Sequence, residues 1–285
     1  MTNQPILFLD SGIGGIPYCR HFLKRNPDEN IVYLADRQHF PYGSREKEEL
    51  IGILSGLMEL LIQTVNPKIA VLVCNTATLA ALTALRERFP ALPIVGTVPA
   101  VKPAALATKT GKIGVLGTEL TAKEAYNKDI AARYGNNEII GIGASDLVDL
   151  VENRLFTASD EEKESIIRSY LNRFRAAGVD TLVLGCTHFL FLQEEFQRAA
   201  APDVIVFESL MGISRRIESL LTETVPRQVN AGKPQRRLLL TGSQPPGPSW
   251  ISWADRLNFS LSLLEPSTSS GHSPVNGQDF PSEET

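Results

Sequence analysis

The chain has few cysteines, no long apolar run and no marked excess of charge of one sign. Its three cysteines, Cys19, Cys74 and Cys186, are spread over 285 residues. They are too few, odd in number and too far apart for a disulfide framework or a CxxC metal pattern, so no metal site is expected. No stretch approaches the roughly 18 apolar residues of a membrane span. No positive charge precedes the short apolar run that follows Met1-Thr2-Asn3-Gln4-Pro5, so neither a secretory leader nor a membrane partner is expected. A formal net charge of −4 at pH 7 supplies no basic field for nucleic acid. The expected compartment is the cytoplasm, where thiols stay reduced. With 43% hydrophobic and 21% charged residues, what remains is a globular chain able to bury a substantial core.

Short apolar runs recur at 6–9, 31–34, 69–73, 113–116, 139–142, 181–184, 204–207 and 238–240, the lengths of buried parallel strands. Helical patterns lie between many of them. From 44 to 65, Leu50, Leu54, Leu57, Met58, Leu61 and Val65 advance by three or four, predicting a helix with one buried stripe and Ser44 as its N-cap. Ser159 with Glu162 predicts a capping box, and the helix it opens continues through Ile166, Ile167, Tyr170, Leu171 and Phe174. Alternating strands and helices predict an α/β fold with mainly parallel sheets covered on both faces. Breaks in periodicity at 90–103, at Pro202 and at 226–234 divide it into two lobes. The final segment, 266–285, is rich in Pro, Ser, Thr and Gly and is expected to be a disordered tail.

One internal echo stands out. Ile69-Ala70-Val71-Leu72-Val73-Cys74-Asn75-Thr76 and Asp180-Thr181-Leu182-Val183-Leu184-Gly185-Cys186-Thr187 are both apolar strands that end in cysteine, with threonine close behind. Each cysteine sits where a strand emerges at its carboxyl end, the rim at which open α/β sheets bind ligands. A thiol there, ahead of a helix, faces unpaired N–H groups that favour thiolate. The competing reading is a small apolar filler, since free cysteine is often buried. Two cysteines in matched settings, one of them followed by His188, favour the chemical role. Asp10-Ser11-Gly12-Ile13-Gly14-Gly15 follows the first strand and fits neither GxxxxGK[ST] nor GxGxxG. It reads as a strand-to-helix turn or an anion cradle, with Asp10 placed to orient an ammonium group or tune a thiol. Pro41-Tyr42-Gly43 reads as a turn. Thr118 and Thr121 read as helix caps or carboxylate ligands. Glu152, beside Leu147, Leu150 and Val151, reads as a solvated helix residue. His21 and His39 have no partner in the sequence. Cys186 and His188 share a face only if their segment stays extended.

In this order and spacing, Leu9-Asp10-Ser11-Gly12-Ile13-Gly14-Gly15, Pro41-Tyr42-Gly43, Cys74-Asn75-Thr76-Ala77 and Leu184-Gly185-Cys186-Thr187-His188 resemble the aspartate/glutamate racemase family. The resemblance runs over about residues 5 to 260. It implies two similar doubly wound lobes with the active site in the cleft between them. The first lobe would be 1–98 plus about 209–265, and the second 99–208. It implies cofactor-independent interconversion of L- and D-glutamate, supplying D-glutamate for peptidoglycan, cell-wall biogenesis and cell shape. By position, Cys186 would remove the proton from L-glutamate and Cys74 from D-glutamate. Asp10 and His188 would assist Cys74 and Cys186 respectively, and Glu152 would be a catalytic-region glutamate. Ser11, Pro41, Tyr42, Gly43, Asn75, Thr76, Thr118, Thr121 and Thr187 match the family's glutamate-binding positions. A homodimer and regulation by a cell-wall precursor are further implications. The chain departs from the family pattern at Gly143-Ala144-Ser145, at Leu120, at Phe189-Leu190 and at 36–40. A racemase acting on aspartate or on both acidic amino acids is one alternative. A catalytically silent carboxylate-binding module is another, against which the two retained thiols count.

Overall fold

The computed structural model describes residues 4–223 and 233–264. The tail expected at 266–285 and most of the break at 226–234 lie outside them. The apolar runs form strands β1 (Ile6–Asp10), β2 (Ile31–Ala35), β3 (Ile69–Leu72), β4 (Ile94–Gly96), β5 (Lys112–Gly117), β6 (Glu138–Gly143), β7 (Thr181–Leu184), β8 (Ile205–Phe207), β9 (Arg236–Leu240) and β10 (Ser260–Leu263). Every pairing is parallel. One sheet has the order β10-β9-β2-β1-β3-β4 and the other β6-β5-β7-β8. The second sheet thus repeats the β2-β1-β3-β4 core of the first, and β9 and β10 widen the first beside β2.

This repetition places the two thiols. In each core the chain steps from the first strand to one side and later returns on the other, so a crevice opens between strands β1 and β3, and again between β5 and β7. Cys74 follows β3 and Cys186 follows β7.

Side chains alternate across each strand, which is why both faces must be covered. Leu7, Leu9, Leu34 and Leu72 pack with Leu50, Leu54, Met58 and Leu61 of the helix Lys47–Thr64 and with Ala77, Ala81 and Leu85 of the helix Asn75–Arg88. On the opposite face Phe8, Tyr33 and Val71 belong to one apolar cluster with Leu116, Leu182 and Leu184 of the second sheet. The two sheets therefore share a core on one side and part at their carboxyl rims.

Four details differ from the sequence reading. Ser44 is no N-cap: it lies in the 3-10 turn Tyr42–Ser44, its hydroxyl donates to the Pro41 carbonyl at 3.2 Å, and the helix starts at Lys47. The break at 90–103 contains β4, a three-residue edge strand, and the helix Val101–Ala107. Strand β10 was invisible because its residues alternate Ser and Leu at a half-exposed edge. Residues 187–192 form a 3-10 turn, so the extended alternation of Cys186 and His188 does not occur. Ser159 does cap its helix, its Oγ accepting from the Glu162 N–H at 3.1 Å, while the Glu162 carboxylate accepts from Arg154.

Candidate active site

A cavity of about 920 Å³ opens at the carboxyl rims of both sheets, and Cys74 and Cys186 both line it. Ser11, Pro41, Tyr42, Gly43, Asn75, Thr76, Thr118, Thr187 and His188 line it as well. Asp10, Thr121 and Glu152 do not reach the wall; each acts from behind a residue that does.

On the first-sheet side, β3 ends at Leu72 and the helix Asn75–Arg88 begins directly after Cys74. The Ala77 N–H in its first turn donates to the Cys74 sulfur. Burial nevertheless pushes the Cys74 thiol well above the ordinary thiol range, and the nearby Asp10 charge adds to this. Asp10 is fully buried at the end of β1. Burial raises its carboxyl to about 6, although His188 and the Ser11 N–H pull the other way. Both protonation states of Asp10 are therefore accessible near neutral pH. Its Oδ1 accepts from the Ser11 N–H at 2.7 Å and its Oδ2 from the Thr187 hydroxyl at 3.3 Å, linking the two rims.

On the second-sheet side the neighbours carry the opposite charge. His188 Nδ1 lies 3.7 Å from the Cys186 sulfur, and His188 Nε2 donates to Glu152 Oε2 at 2.9 Å. Burial alone would lower the histidine, but its hydrogen bonds to Cys186 and Glu152 hold it well above the ordinary value, as an imidazolium. Glu152 also accepts from the Ile13 N–H at 2.9 Å. It is thus no solvated residue, and its helix, Ser145–Arg154, faces the cleft with Val148 one turn earlier.

The glycine loop gains its explanation here. A Cβ at Gly12 would strike the Glu152 carboxylate, and one at Gly14 would lie 2.6 Å from the Thr187 hydroxyl beside the His188 ring. Close approach is the reason for these glycines, and what approaches is the His188–Glu152 pair. Tyr33 holds the loop by donating to the Gly12 carbonyl at 2.8 Å.

One stretch of the site is polar and neutral. Thr76 and Thr118 hydroxyls lie 3.0 Å apart, and Thr121 joins them at 3.1 Å from Thr118 and 3.4 Å from Thr76. Thr118 also caps its helix, accepting from the Thr121 N–H at 3.2 Å, as its capping reading expects. Asn75 is 2% exposed, and neither its amide nitrogen nor its oxygen has a partner among the described residues. A buried, unpaired amide on a cavity wall is set up to meet a polar ligand. Arg45, Glu46, Lys123 and Glu124, for which no local pattern offered a signal, line the cavity too. Among the described residues no group of His, Cys, Asp and Glu side chains is arranged to hold a metal ion, and no helix is long and apolar enough to cross a membrane.

Two thiols thus open on one cavity, one beside a carboxylate and one beside an imidazolium. The family comparison specifies the class. The family model described as Asp/Glu/Hydantoin racemase matches residues 21–210, and the chain belongs to that family; it is a racemase, an isomerase. Among curated relatives, a glutamate racemase of Roseiflexus sp. is 37% identical over 80% of this chain and 84% of its own length. A glutamate racemase of Sphingopyxis alaskensis is 40% identical over 76% and 82%. Among solved structures, Escherichia coli glutamate racemase in complex with L-glutamate and the activator UDP-MurNAc-Ala is similar with a TM-score of 0.80, at 30% identity, covering 91% of this chain and 97% of that one.

Proposed function

We propose that this protein interconverts L- and D-glutamate without a cofactor, using Cys74 and Cys186 as opposed acid and base. The observation that supports this reading is the pair of strand-end thiols sharing one cavity with oppositely charged partners. Inversion at a carbon requires one face to lose a proton while the other receives one, and two fixed groups do this without a base crossing between faces. The asymmetry assigns a resting state. Cys74, held well above the usual thiol range by burial and the Asp10 charge, is the proton-loaded thiol. Cys186, with His188 Nδ1 3.7 Å from its sulfur, is the base that takes the α-proton of L-glutamate, after which Cys74 delivers its own to the opposite face. The reverse reaction starts from the exchanged state that the forward reaction leaves: Cys74, now without its proton, takes the α-proton of D-glutamate, and Cys186 returns the proton it carries to the opposite face, with Asp10 and His188 as the assisting groups of Cys74 and Cys186.

The α-proton beside a carboxylate is weakly acidic, so the developing negative charge needs fixed donors in a site that excludes water. The unpaired Asn75 amide, the hydroxyls of Thr76, Thr118 and Thr121 and the N-terminus of the 14-residue helix Asn75–Arg88 supply them for one carboxylate. Ser11, Thr187 and the Pro41-Tyr42-Gly43 loop remain for the rest of the substrate. The lobe limits 1–98 with about 209–265, and 99–208, belong to this reading. So do a cytoplasmic homodimer, provision of D-glutamate for peptidoglycan, and control by a cell-wall precursor of the kind bound to the E. coli neighbour.

The direct test follows the optical activity of each enantiomer of glutamate and aspartate with the purified, reduced enzyme. Glutamate should racemise in both directions and faster than aspartate. Faster aspartate turnover would move the assignment to the aspartate branch, and no turnover of either would leave only a carboxylate-binding module. Addition of UDP-MurNAc-Ala tests the effector.

A further inference from the structure

Asp36 is fully buried, carries no part of the mechanism above and yet gathers three donors. Tyr42 donates its hydroxyl to Asp36 Oδ2 at 2.7 Å, His39 Nδ1 lies 2.8 Å from the same oxygen, and the Thr241 hydroxyl donates to Oδ1 at 2.6 Å. The Asp36 N–H donates to the Asp10 carbonyl at 2.8 Å. Tyr42 is thereby tied by its hydroxyl, and both it and Gly43 line the cavity. The tolerance there is small, since a Cβ at Gly43 would come within 2.8 Å of Thr118 Cγ2.

Thr241 has no place on that wall. It follows β9, in the part of the chain that returns to the first sheet, and its N–H pairs with the Ala35 carbonyl at 3.2 Å. Its hydroxyl also accepts from the Gln38 N–H at 3.1 Å. Arg37 fastens the same return: its Nε donates to the Thr241 carbonyl at 2.7 Å and its other nitrogens to the Gln244 and Pro245 carbonyls.

We infer that Asp36 and Thr241 are positioning residues for substrate recognition: through Tyr42 they hold the Pro41-Tyr42-Gly43 loop at the distance from Thr118 that the substrate requires. The inference rests on the racemase reading. Its signature is a loss of substrate affinity without a matching loss of proton transfer, because neither residue touches a thiol.

Thr241→Val keeps the side-chain volume and removes the hydroxyl, and Thr241→Ser keeps the hydroxyl. With glutamate, Thr241→Val should raise KM about tenfold for both enantiomers, the scale of one lost hydrogen bond to a buried carboxylate, while kcat stays within about twofold. Thr241→Ser should restore KM, and Asp36→Asn should act like the valine variant. Thermal melts identify folded variants, and should Asp36→Asn fail to fold, the Thr241 pair decides alone. An unchanged KM in folded Thr241→Val, a fall in kcat with KM unchanged, or failure of serine to rescue would overturn the inference while leaving the function intact. Absence of glutamate turnover in the wild type would instead overturn the function.

Discussion

The Cys74 and Cys186 halves of the site occupy equivalent positions in two sheets of the same strand order, yet they are electrostatic opposites. Cys74 has a buried carboxylate for a neighbour and a helix that begins on the next residue. Cys186 has an imidazolium backed by a carboxylate and is followed by a 3-10 turn. The fold repeats, and the chemistry differs, because the groups beside the thiols differ: Asp10 reaches Cys74 from β1, whereas Cys186 has His188 two residues on, backed by Glu152 from the helix after β6. A pair of identical thiols would have no preferred resting state. In the proposed mechanism oppositely charged partners give one, with the proton resting on the Cys74 side.

The largest expected effect breaks the pair. Cys74→Ser and Cys186→Ser should each lower racemisation about a thousandfold, within the usual range for an acid–base group. In D₂O the two should differ: Cys74→Ser should exchange the α-proton of L-glutamate only, and Cys186→Ser that of D-glutamate only. Proton NMR of recovered substrate reads this directly, and exchange of the same enantiomer by both variants would end the facial assignment.

Asp10→Asn separates stability from activity. A buried carboxyl raised from 3.8 to about 6 is more protonated in the folded than in the unfolded state between those values, so its contribution to stability falls as pH rises through that window. Above pH 6 its ionised form costs the fold about 3 kcal/mol. The amide variant should therefore melt higher than the wild type at pH 8 and show little difference near pH 4, while turning over at least about tenfold more slowly. A variant equally stable at both pH values would show that Asp10 is not strained by burial.

Glu152→Gln probes the other half. Losing the anion behind His188 should lower the histidine from its raised value, so the loss of activity at high pH should begin at lower pH, with a fall of about tenfold at the optimum. A pH–rate profile checks it, and an unshifted basic limb would remove Glu152 from the relay. The smallest effect concerns the third thiol. Cys19 is buried in the helix Ile16–Arg25 away from either rim. Cys19→Ala should leave kcat and KM unchanged and cost about 1 kcal/mol of stability, measured by denaturant melts.

The strands with long apolar runs, such as 6–9 and 31–34, and the N-cap at Ser159 were legible because burial and capping act on neighbouring residues. Strands β4 and β10 were not, the first being three residues beside prolines and the second an alternating edge. The thiols, Asp10-Ser11 and Asn75-Thr76 could be placed at strand ends from local pattern alone. Glu152 carried no local sign of its partners, because its hydrogen bonds to His188 and Ile13 join segments 36 and 139 residues away. His39 likewise found Asp36 only through the turn that brings them together.

The sequence by itself determined where the strands with long apolar runs end, since apolar runs must be buried and polar residues must stop them. That was enough to put two cysteines at two rims. Only the tertiary structure decided that the rims open on one cavity and which charge stands behind each sulfur. Those depend on how two sheets share a core and on which distant side chains the glycine loop leaves room for, and contacts of that kind leave no periodicity in the chain.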